Sequence, residues 1–179
     1  MSLNDVLNTP AQLLWEERLM LYALVRGLRP TNLLEIGSFY GGSAQLIHAA
    51  MIANGKGHLW CVDINPVNEG RKTIEGLRWA ELHIGNSSEV IPALGVNFDF
   101  FFIDGDHSCA GVTADIQACR PLCTPKAVLI FHDAFHEAIK RAIDDNLDGF
   151  VDCGILSIYG NNDSYGSAWA GLRMLRKAW

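Results

Sequence analysis

The sequence of 179 residues lacks the features of membrane, secreted and nucleic-acid-binding proteins. It has no apolar run long enough to span a bilayer, and its polar N-terminal stretch lacks the charged-then-apolar order of a secretory signal. Basic residues concentrate only at Arg173, Arg176 and Lys177, and the formal net charge of -6 repels phosphate backbones. We therefore expect a cytoplasmic protein that binds neither a membrane nor nucleic acid.

The chain also lacks a cysteine framework and any sign of a linker. Its five cysteines are odd in number, and the close pair Cys119 and Cys123 has no second pair that would complete a zinc site. They are predicted to be free thiols that pack as small hydrophobic groups. Because no repeat, low-complexity tract or composition break interrupts the sequence, we expect one domain over residues 1–179, with an N-terminal helical part at 1–30 and a core at 31–179.

Apolar segments that predict strands alternate with segments that predict helices. The predicted strands are 32–36, 59–64, 80–84, 98–103 and 127–131, and the predicted helices are 11–26, 44–53, 69–77, 89–94, 111–119 and 135–144. Two closing strands, 150–159 and 168–176, follow with only a polar loop at 160–166 between them. The nearly uniform apolar character of 98–103 implies burial on both faces. The pattern predicts an α/β fold with a Rossmann-like, doubly wound, mostly parallel seven-stranded sheet and a C-terminal antiparallel hairpin.

Polar residues follow the carboxyl ends of these strands. They are found at 35–42, at Asp63, at 85–86, at 104–107 and at 132–133. In an open parallel sheet the ligand binds at the carboxyl ends of the strands, near the point where the strand order reverses. The sequence therefore predicts one site at this edge, built from residues that lie far apart along the chain.

The glycine loop at 35–42 separates two ligands that would both suit such an edge. Asp63 lies 21 residues after Gly42, where an acid would bind ribose hydroxyls of a dinucleotide or of S-adenosylmethionine. A pyrophosphate needs glycine at the second position of G-x-G-x-x-G, and that position is Phe39 here. S-adenosylmethionine has no phosphate, so the loop favours it and disfavours an NAD-dependent oxidoreductase.

Several motifs together resemble class I S-adenosylmethionine-dependent methyltransferases. They are the segment 33–43 (L-L-E-I-G-S-F-Y-G-G-S), 62–64 (V-D-I), 102–108 (F-I-D-G-D-H-S) and 130–133 (I-F-H-D). Within that class the chain is most similar to the small bacterial branch known as family 24, which is related to metal-dependent O-methyltransferases. The resemblance spans residues 33–133, and the antiparallel closing hairpin also fits the class.

The resemblance implies a role for each matching position. Glu35, Gly37, Ser38 and Gly41 would line the methionine end of the cofactor, Asp63 would hold the ribose hydroxyls, Ile64 would border the adenine, and Asn86 would face the adenine amine. Asp104 would lie beside the cofactor at the reacting centre. The expected cofactor is S-adenosyl-L-methionine, and the expected partner is a small-molecule methyl acceptor.

Two further hypotheses concern the chemistry at the reacting centre. Asp104, His132 and Asp133 share one strand edge, and two carboxylates with an imidazole could hold Mg²⁺ or another divalent metal. The alternative is that the acids cap helices and that His132 donates to a backbone carbonyl. His107 has an ordinary pKa near neutrality and follows two acids, so it is the candidate general base, with Asp104 beside it.

The favoured function is O-methylation of a small molecule. A cofactor-binding domain without turnover remains an alternative, although such a module would have no need of Asp104, His107 and Asp133. The acceptor pocket is expected between the N-terminal helix and the loops 133–137 and 159–166. Five tryptophans, two of them at Trp169 and Trp179 near the C-terminus, make a homodimer the expected assembly.

Overall fold

The strands of this computed structural model, which describes residues 3–156, 161–162 and 168–178, are mostly parallel. They are β1 (Asn32–Ile36), β2 (His58–Asp63), β3 (Ala80–Ile84), β4 (Phe98–Ile103), β5 (Cys123–Phe131), β6 (Phe150–Ile155), β7 (Asn161–Asn162), β8 (Ala168–Trp169) and β9 (Arg173–Lys177). Seven of them form one sheet in the order β3-β2-β1-β4-β5-β9-β6, and β7 pairs with β8. The first five are parallel, whereas β9 runs antiparallel to β5 and to β6. The predicted fold class is confirmed.

Helices cover both faces of the sheet. They are α1 (Leu3–Leu7), α2 (Trp15–Leu28), α3 (Gly42–Asn54), α4 (Asn68–Glu75), α5 (Ser87–Ala93), α6 (Cys109–Cys119) and α7 (Glu137–Asp144), with a 3₁₀ turn at Arg120–Leu122. Along β4, Phe101 and Ile103 pack into a cluster with α5, α6 and α7, while Phe100 and Phe102 pack into a second cluster with α2 and α3. This alternation explains the uniform apolar sequence of the strand, because both of its faces are buried.

The opening helix begins at Trp15, so the prediction of a start at residue 11 was wrong. Leu14 has extended backbone, and its N–H donates to Oε2 of Glu17 at 2.8 Å, which caps the helix at this point. The guanidinium of Arg18 donates to the carbonyls of Leu7, Thr9, Ala11 and Leu13. These bonds hold residues 7–13 against α2, and this segment is called the N-terminal wall below.

Several other boundaries differ from the prediction. Gly41, with a φ of 76°, is the N-cap of α3, so this helix begins two residues before the predicted start at residue 44. Strand β5 begins at Cys123 and not at residue 127, and the predicted strand 168–176 is divided into β8 and β9. Strand β6 ends at Ile155, and residues 157–160 and 163–166 of the predicted strand and loop lie outside the described residues. In the described part of the chain, no helix combines the length and the apolar character needed to cross a membrane.

Cysteine pairing agrees with the prediction, because all five cysteines are free thiols. Cys61 and Cys119 are buried, and Cys109 and Cys123 are partly buried. Cys153 is exposed on β6, so it is an exception to the expectation that these thiols pack as buried hydrophobic groups.

Candidate active site

The ends of four central strands lie in register at one edge of the sheet. Ile36 at the end of β1 pairs with Val62 of β2 and with Ile103 of β4, and Ile103 in turn pairs with Phe131 of β5. The residues that follow these positions are therefore neighbours in space. They include Gly37, Asp63, Asp104, His132 and Asp133, all of which were predicted from the sequence as site residues.

The glycine loop approaches the end of β4 more closely than a side chain would allow. Gly37 has a φ of 84°, and a Cβ placed on it would lie 2.0 Å from the carbonyl oxygen of Asp104. Ser38 donates from its hydroxyl to Oε2 of the fully buried Glu35 at 2.6 Å, which fixes the loop from below. Of the four residues expected to line the methionine end of the cofactor, Gly37 and Ser38 line the cavities described next, whereas Glu35 and Gly41 line neither of them.

The carboxylate of Asp63 holds this loop in place. Its Oδ2 accepts the backbone N–H groups of Ser38 and Phe39 at 2.9 and 2.8 Å, and its Oδ1 accepts that of Asn65 at 2.8 Å. A carboxylate offers about four lone-pair sites, and three of those of Asp63 are already used. In this conformation, Asp63 can accept one ribose hydroxyl, and a second hydroxyl would require one of the backbone bonds to open.

Two cavities meet at the strand edge. The larger, of about 590 Å³, extends past the ends of β2 and β3 and is lined by Asp63, Ile64, Asn86, Ser87, Ala114 and Asp115 among others. The smaller, of about 360 Å³, lies between the glycine loop and the N-terminal wall and is lined by Pro10, Ala11, Leu13, Arg18, Ser38 and Tyr40 among others. Gln12, Gly37, Phe39 and Asp104 line both. Their volumes fall within or near the range of small-ligand sites.

Asp104, His107 and Asp133 form a compact acidic cluster beside the larger cavity. Each of the three residues offers one nitrogen or oxygen atom that could bind a metal ion, and these three atoms all lie within 4.8 Å of one another. Nε2 of His107 is 2.9 Å from Oδ2 of Asp133 and 3.8 Å from Oδ1 of Asp104. These two carboxylates raise the pKa of His107 to about 9 against the opposing effect of burial, so the ring carries a proton at neutral pH.

His132 lies behind this cluster and is buried. Its Nδ1 is 3.0 Å from Oδ1 of Asp104, and its Nε2 is 3.2 Å from Oε2 of the fully buried Glu17. Burial opposes protonation, but the contacts with Asp104, Asp133 and Glu17 outweigh it and raise the pKa of His132 to about 12. Both ring nitrogens of His132 thus face carboxylates, and the three groups that lie within reach of one ion are Asp104, His107 and Asp133 instead of the predicted Asp104, His132 and Asp133.

Glu17 was missed by the sequence reasoning. Besides His132, it accepts the N–H of Gly171 at 2.6 Å, which ties α2 to the segment before β9. Despite its burial, the bonds with His132 and the backbone hold the pKa of Glu17 below its usual range. The available signal was its position: Glu17 falls on the same helical face as Leu21 and Val25, and a carboxylate on an apolar face indicates a buried charge with a partner.

The backbone of Asp133 has an unusual conformation, and its two carboxylate oxygens have different partners. Asp133 has a φ of 52°, in the left-handed region that asparagine and aspartate tolerate best among residues with a side chain. Its Oδ1 accepts the N–H of Ala170 at 2.6 Å, and its Oδ2 faces His107. The ring of His107 meets Trp169 edge-on, with the centroids 5.3 Å apart. The segment at 169–171 therefore supports the cluster from the C-terminal side.

The stability of the metal-free protein should depend on pH through His107. The pKa of His107 is raised from about 6.5 to about 9, so the protonated ring stabilises the fold. This contribution is fully present below pH 6.5 and is lost as the pH rises through 9. Because the imidazole is 42% exposed, solvent screening limits the contribution to roughly 1–2 kcal/mol. Urea unfolding of EDTA-treated protein at pH 6 and pH 9.5 should show this loss, and His107→Gln should reduce it. Equal pH dependence in both proteins would contradict the assignment.

The sheet order, the antiparallel closing strand and the acids at the strand ends are those expected of a class I S-adenosylmethionine-dependent methyltransferase. A family model described as a methyltransferase domain matches residues 34–134, which is more than half of the chain. The chain belongs to this family, known as methyltransferase family 24.

Solved structures agree with the fold. An O-methyltransferase from Bacillus cereus in complex with SAH has a TM-score of 0.73 at 20% identity, with 98% of this chain and 87% of that chain covered. The O-methyltransferase TomG from Streptomyces achromogenes, in complex with SAM, has a TM-score of 0.72 at 16% identity, with coverages of 96% and 83%. The SAH-bound methyltransferase PaMTH1 from Podospora anserina has a TM-score of 0.74 at 13% identity, with coverages of 91% and 78%. A search of curated proteins found no match by sequence.

Proposed function

We propose that the protein transfers the methyl group of S-adenosylmethionine to a hydroxyl oxygen of a small molecule. The observation that carries this proposal is the position of the Asp104–His107–Asp133 cluster at the end of a cavity that also contains Asp63 and Asn86. One end of the cavity suits an adenosine, and the other presents groups that can orient and deprotonate a hydroxyl. The O-methyltransferases of similar fold that hold SAM or SAH support the choice of cofactor.

The two cavities suggest how the cofactor lies. The adenosine would occupy the larger cavity, with the ribose at Asp63 and the ring between Ile64 and Ala114. The amino-acid end would extend along the glycine loop into the smaller cavity. The sulfonium would then lie near Asp104, which lines both spaces. The acceptor would approach from the side of His107 and Asp133, where the imidazole is 42% exposed.

The reaction requires that the acceptor lose a proton as its oxygen attacks the methyl carbon and the carbon–sulfur bond breaks. His107 is the group placed to take that proton at Nε2. Because Asp104 and Asp133 hold a proton on this ring at neutral pH, His107 must first lose that proton to act as a base, and it would do so when a bound divalent cation takes its place beside the two carboxylates. The base and the metal hypotheses are therefore linked.

The acidic cluster fits a divalent cation. Asp104 and Asp133 supply carboxylate oxygens, which Mg²⁺ and Mn²⁺ prefer, and these two residues would hold the ion while Nε2 of His107 stays free to take the proton. Such an ion, when bound, acts as a Lewis acid that lowers the pKa of a coordinated hydroxyl. Asp104 and Asp133 would hold the ion and position the acceptor, while His132 and Ala170 keep the two carboxylates in place.

Calorimetric titration tests the cofactor directly. S-adenosylhomocysteine should bind with micromolar affinity, and NAD should not bind because Phe39 occupies the place where a pyrophosphate would need glycine. Adding Mn²⁺ should give a second binding event that Asp133→Asn weakens at least tenfold. No heat with S-adenosylhomocysteine in a folded sample would refute the proposed function.

Turnover should depend on His107. In an assay that follows S-adenosylhomocysteine release over a panel of hydroxylated small molecules, His107→Gln should lower kcat by about 10²–10⁴-fold. The affinity for S-adenosylhomocysteine should stay within about threefold of wild type, because the imidazole contacts the acceptor side. His58→Gln, a substitution of a partly exposed histidine on β2, is the matched control. Binding without turnover on any acceptor would support the alternative of a non-catalytic module.

We also propose that the protein is a cytoplasmic homodimer, as the sequence suggests. The structure removes Trp169 from the argument for the dimer. Trp169 stacks on His136 of the same chain, with the ring centroids 4.6 Å apart, so this tryptophan has a partner within its own fold. Trp179 lies outside the described residues.

A further inference from the structure

The side-chain oxygen of Asn86, the residue expected to face the adenine amine, is already occupied. Asn86 is the N-cap of α5, and its Oδ1 accepts the backbone N–H of Ser88 at 3.0 Å and the Ser88 hydroxyl at 2.8 Å. Only its amide nitrogen, which is a donor, remains for a ligand. The 6-amino group of adenine is itself a donor and needs an acceptor. The acceptor must therefore come from elsewhere in the cavity.

Asp115 on α6 supplies such an acceptor. Asp115 is only 3% exposed, yet it lines the larger cavity together with Asn86 and Ala114. One carboxylate oxygen, Oδ1, accepts the hydroxyl of Ser87, and among the described residues no donor is bound to Oδ2. Burial, with a smaller effect of Asp106, raises the pKa of Asp115 to about 6 against the opposing hydrogen bond from Ser87.

Small residues line the cavity near Asp115. Gly105 has no Cβ; one built there would lie 3.3 Å from Oδ2 of Asp115 and 3.1 Å from the side chain of Ile36. Gly111 and Ala114 on the same helix also line the cavity. The bond from Ser87 to Oδ1 links α6 to α5 and uses only one of the two carboxylate oxygens of Asp115. Because Asp115 lines the cavity, its second oxygen is available to a donor of a bound ligand.

We propose that Asp115 accepts a hydrogen bond from the 6-amino group of the adenine ring and so selects adenosyl over inosyl cofactors. The inference rests on the proposed function, because it assigns a residue to the adenosine end of the same cavity. In an inosyl compound, a carbonyl oxygen replaces the amine and would face the carboxylate oxygen with no proton between them. Selectivity would come from this repulsion as well as from the lost bond.

The test compares three ligands by calorimetry at pH 8, where Asp115 is ionised. They are S-adenosylhomocysteine, its 7-deaza analogue, which keeps the 6-amino group, and S-inosylhomocysteine, which lacks it. Wild type should bind the first two within about fivefold of each other and the third at least tenfold more weakly. Asp115→Asn should reduce this discrimination to threefold or less, because a carboxamide can turn either its oxygen or its N–H₂ group to the ring.

The outcomes separate the two levels of inference. If wild type binds none of the three ligands, the cofactor assignment fails and Asp115 falls with it. If wild type binds the adenosyl and inosyl compounds equally, the cofactor assignment stands and the role of Asp115 is refuted. The same holds if Asn86→Ser, which retains a capping side chain, removes the discrimination while Asp115→Asn retains it. Should Asp115→Asn fail to fold, as judged by circular dichroism, the wild-type comparison and Asn86→Ser still decide.

Discussion

Replacement of Glu17 by alanine should lower the free energy of unfolding by about 3–5 kcal/mol, because it leaves Nε2 of a buried imidazolium without a partner and removes one of the ring's counter-charges. Glu17 is fully buried and accepts hydrogen bonds from Leu14, Gly171 and His132. The substitution therefore removes a helix cap, a link to the segment before β9 and one partner of a charged ring. Urea unfolding at neutral pH measures the loss.

Glu16→Ala is the matched control for this prediction. Glu16 lies in the same first turn of α2, but its side chain is exposed. Its substitution should change the free energy of unfolding by no more than about 0.5 kcal/mol. If Glu17→Ala also stayed within about 1 kcal/mol of wild type, His132 would not be held as a buried cation, and the charged network drawn from Glu17 to Asp133 would be wrong.

Gly37→Ala should also be severe, with a loss of about 3 kcal/mol or more and with binding of S-adenosylhomocysteine reduced at least a hundredfold. The added Cβ would lie 2.0 Å from the carbonyl oxygen of Asp104 and 2.6 Å from its carbonyl carbon. Neither atom belongs to a flexible side chain, so the loop and the end of β4 must separate. That movement would displace Asp104, the residue shared by the two cavities.

Gly55→Ala distinguishes steric contact from backbone strain. Gly55 has a φ of 68°, close to that of Gly37, but nothing lies within 4 Å of the position that its Cβ would take. Its substitution should lower the free energy of unfolding by only the strain of a left-handed backbone, about 1–2 kcal/mol, and should not change ligand affinity. Equal effects of Gly37→Ala and Gly55→Ala on stability and binding would show that the contact with Asp104 is unimportant.

The positions of the strands and their burial could be predicted because each relies on local information. The apolar run of β4 and the boundaries of β3 follow from residues that are adjacent in the sequence, and both matched the structure. The parallel arrangement then brought Asp63, Asp104 and Asp133 to one edge without any knowledge of side-chain contacts. The acidic edge of the site was therefore accessible to sequence reasoning.

The partners of individual side chains were not accessible in the same way. His107 and His132 follow neighbouring strands, and nothing local shows that His132 turns inward to Glu17 while His107 turns to the cavity. The oxygen of Asn86 was assigned to a ligand, yet the start of α5 uses it as a cap. Asp115 lies on the face of α6 that packs inward with Ile116 and Cys119, so its helical position was the signal that could have indicated a buried acid.

The bonds of Glu17 also bear on when the site can form during translation. Its partners His132 and Gly171 lie 115 and 154 residues further along the chain. At roughly 5–20 residues per second, a ribosome needs about 8–30 seconds to add the residues that separate Glu17 from Gly171. Throughout that interval α2 is without the partners of its buried carboxylate, so the nascent chain cannot complete the charged network until nearly all of the described residues have been synthesised.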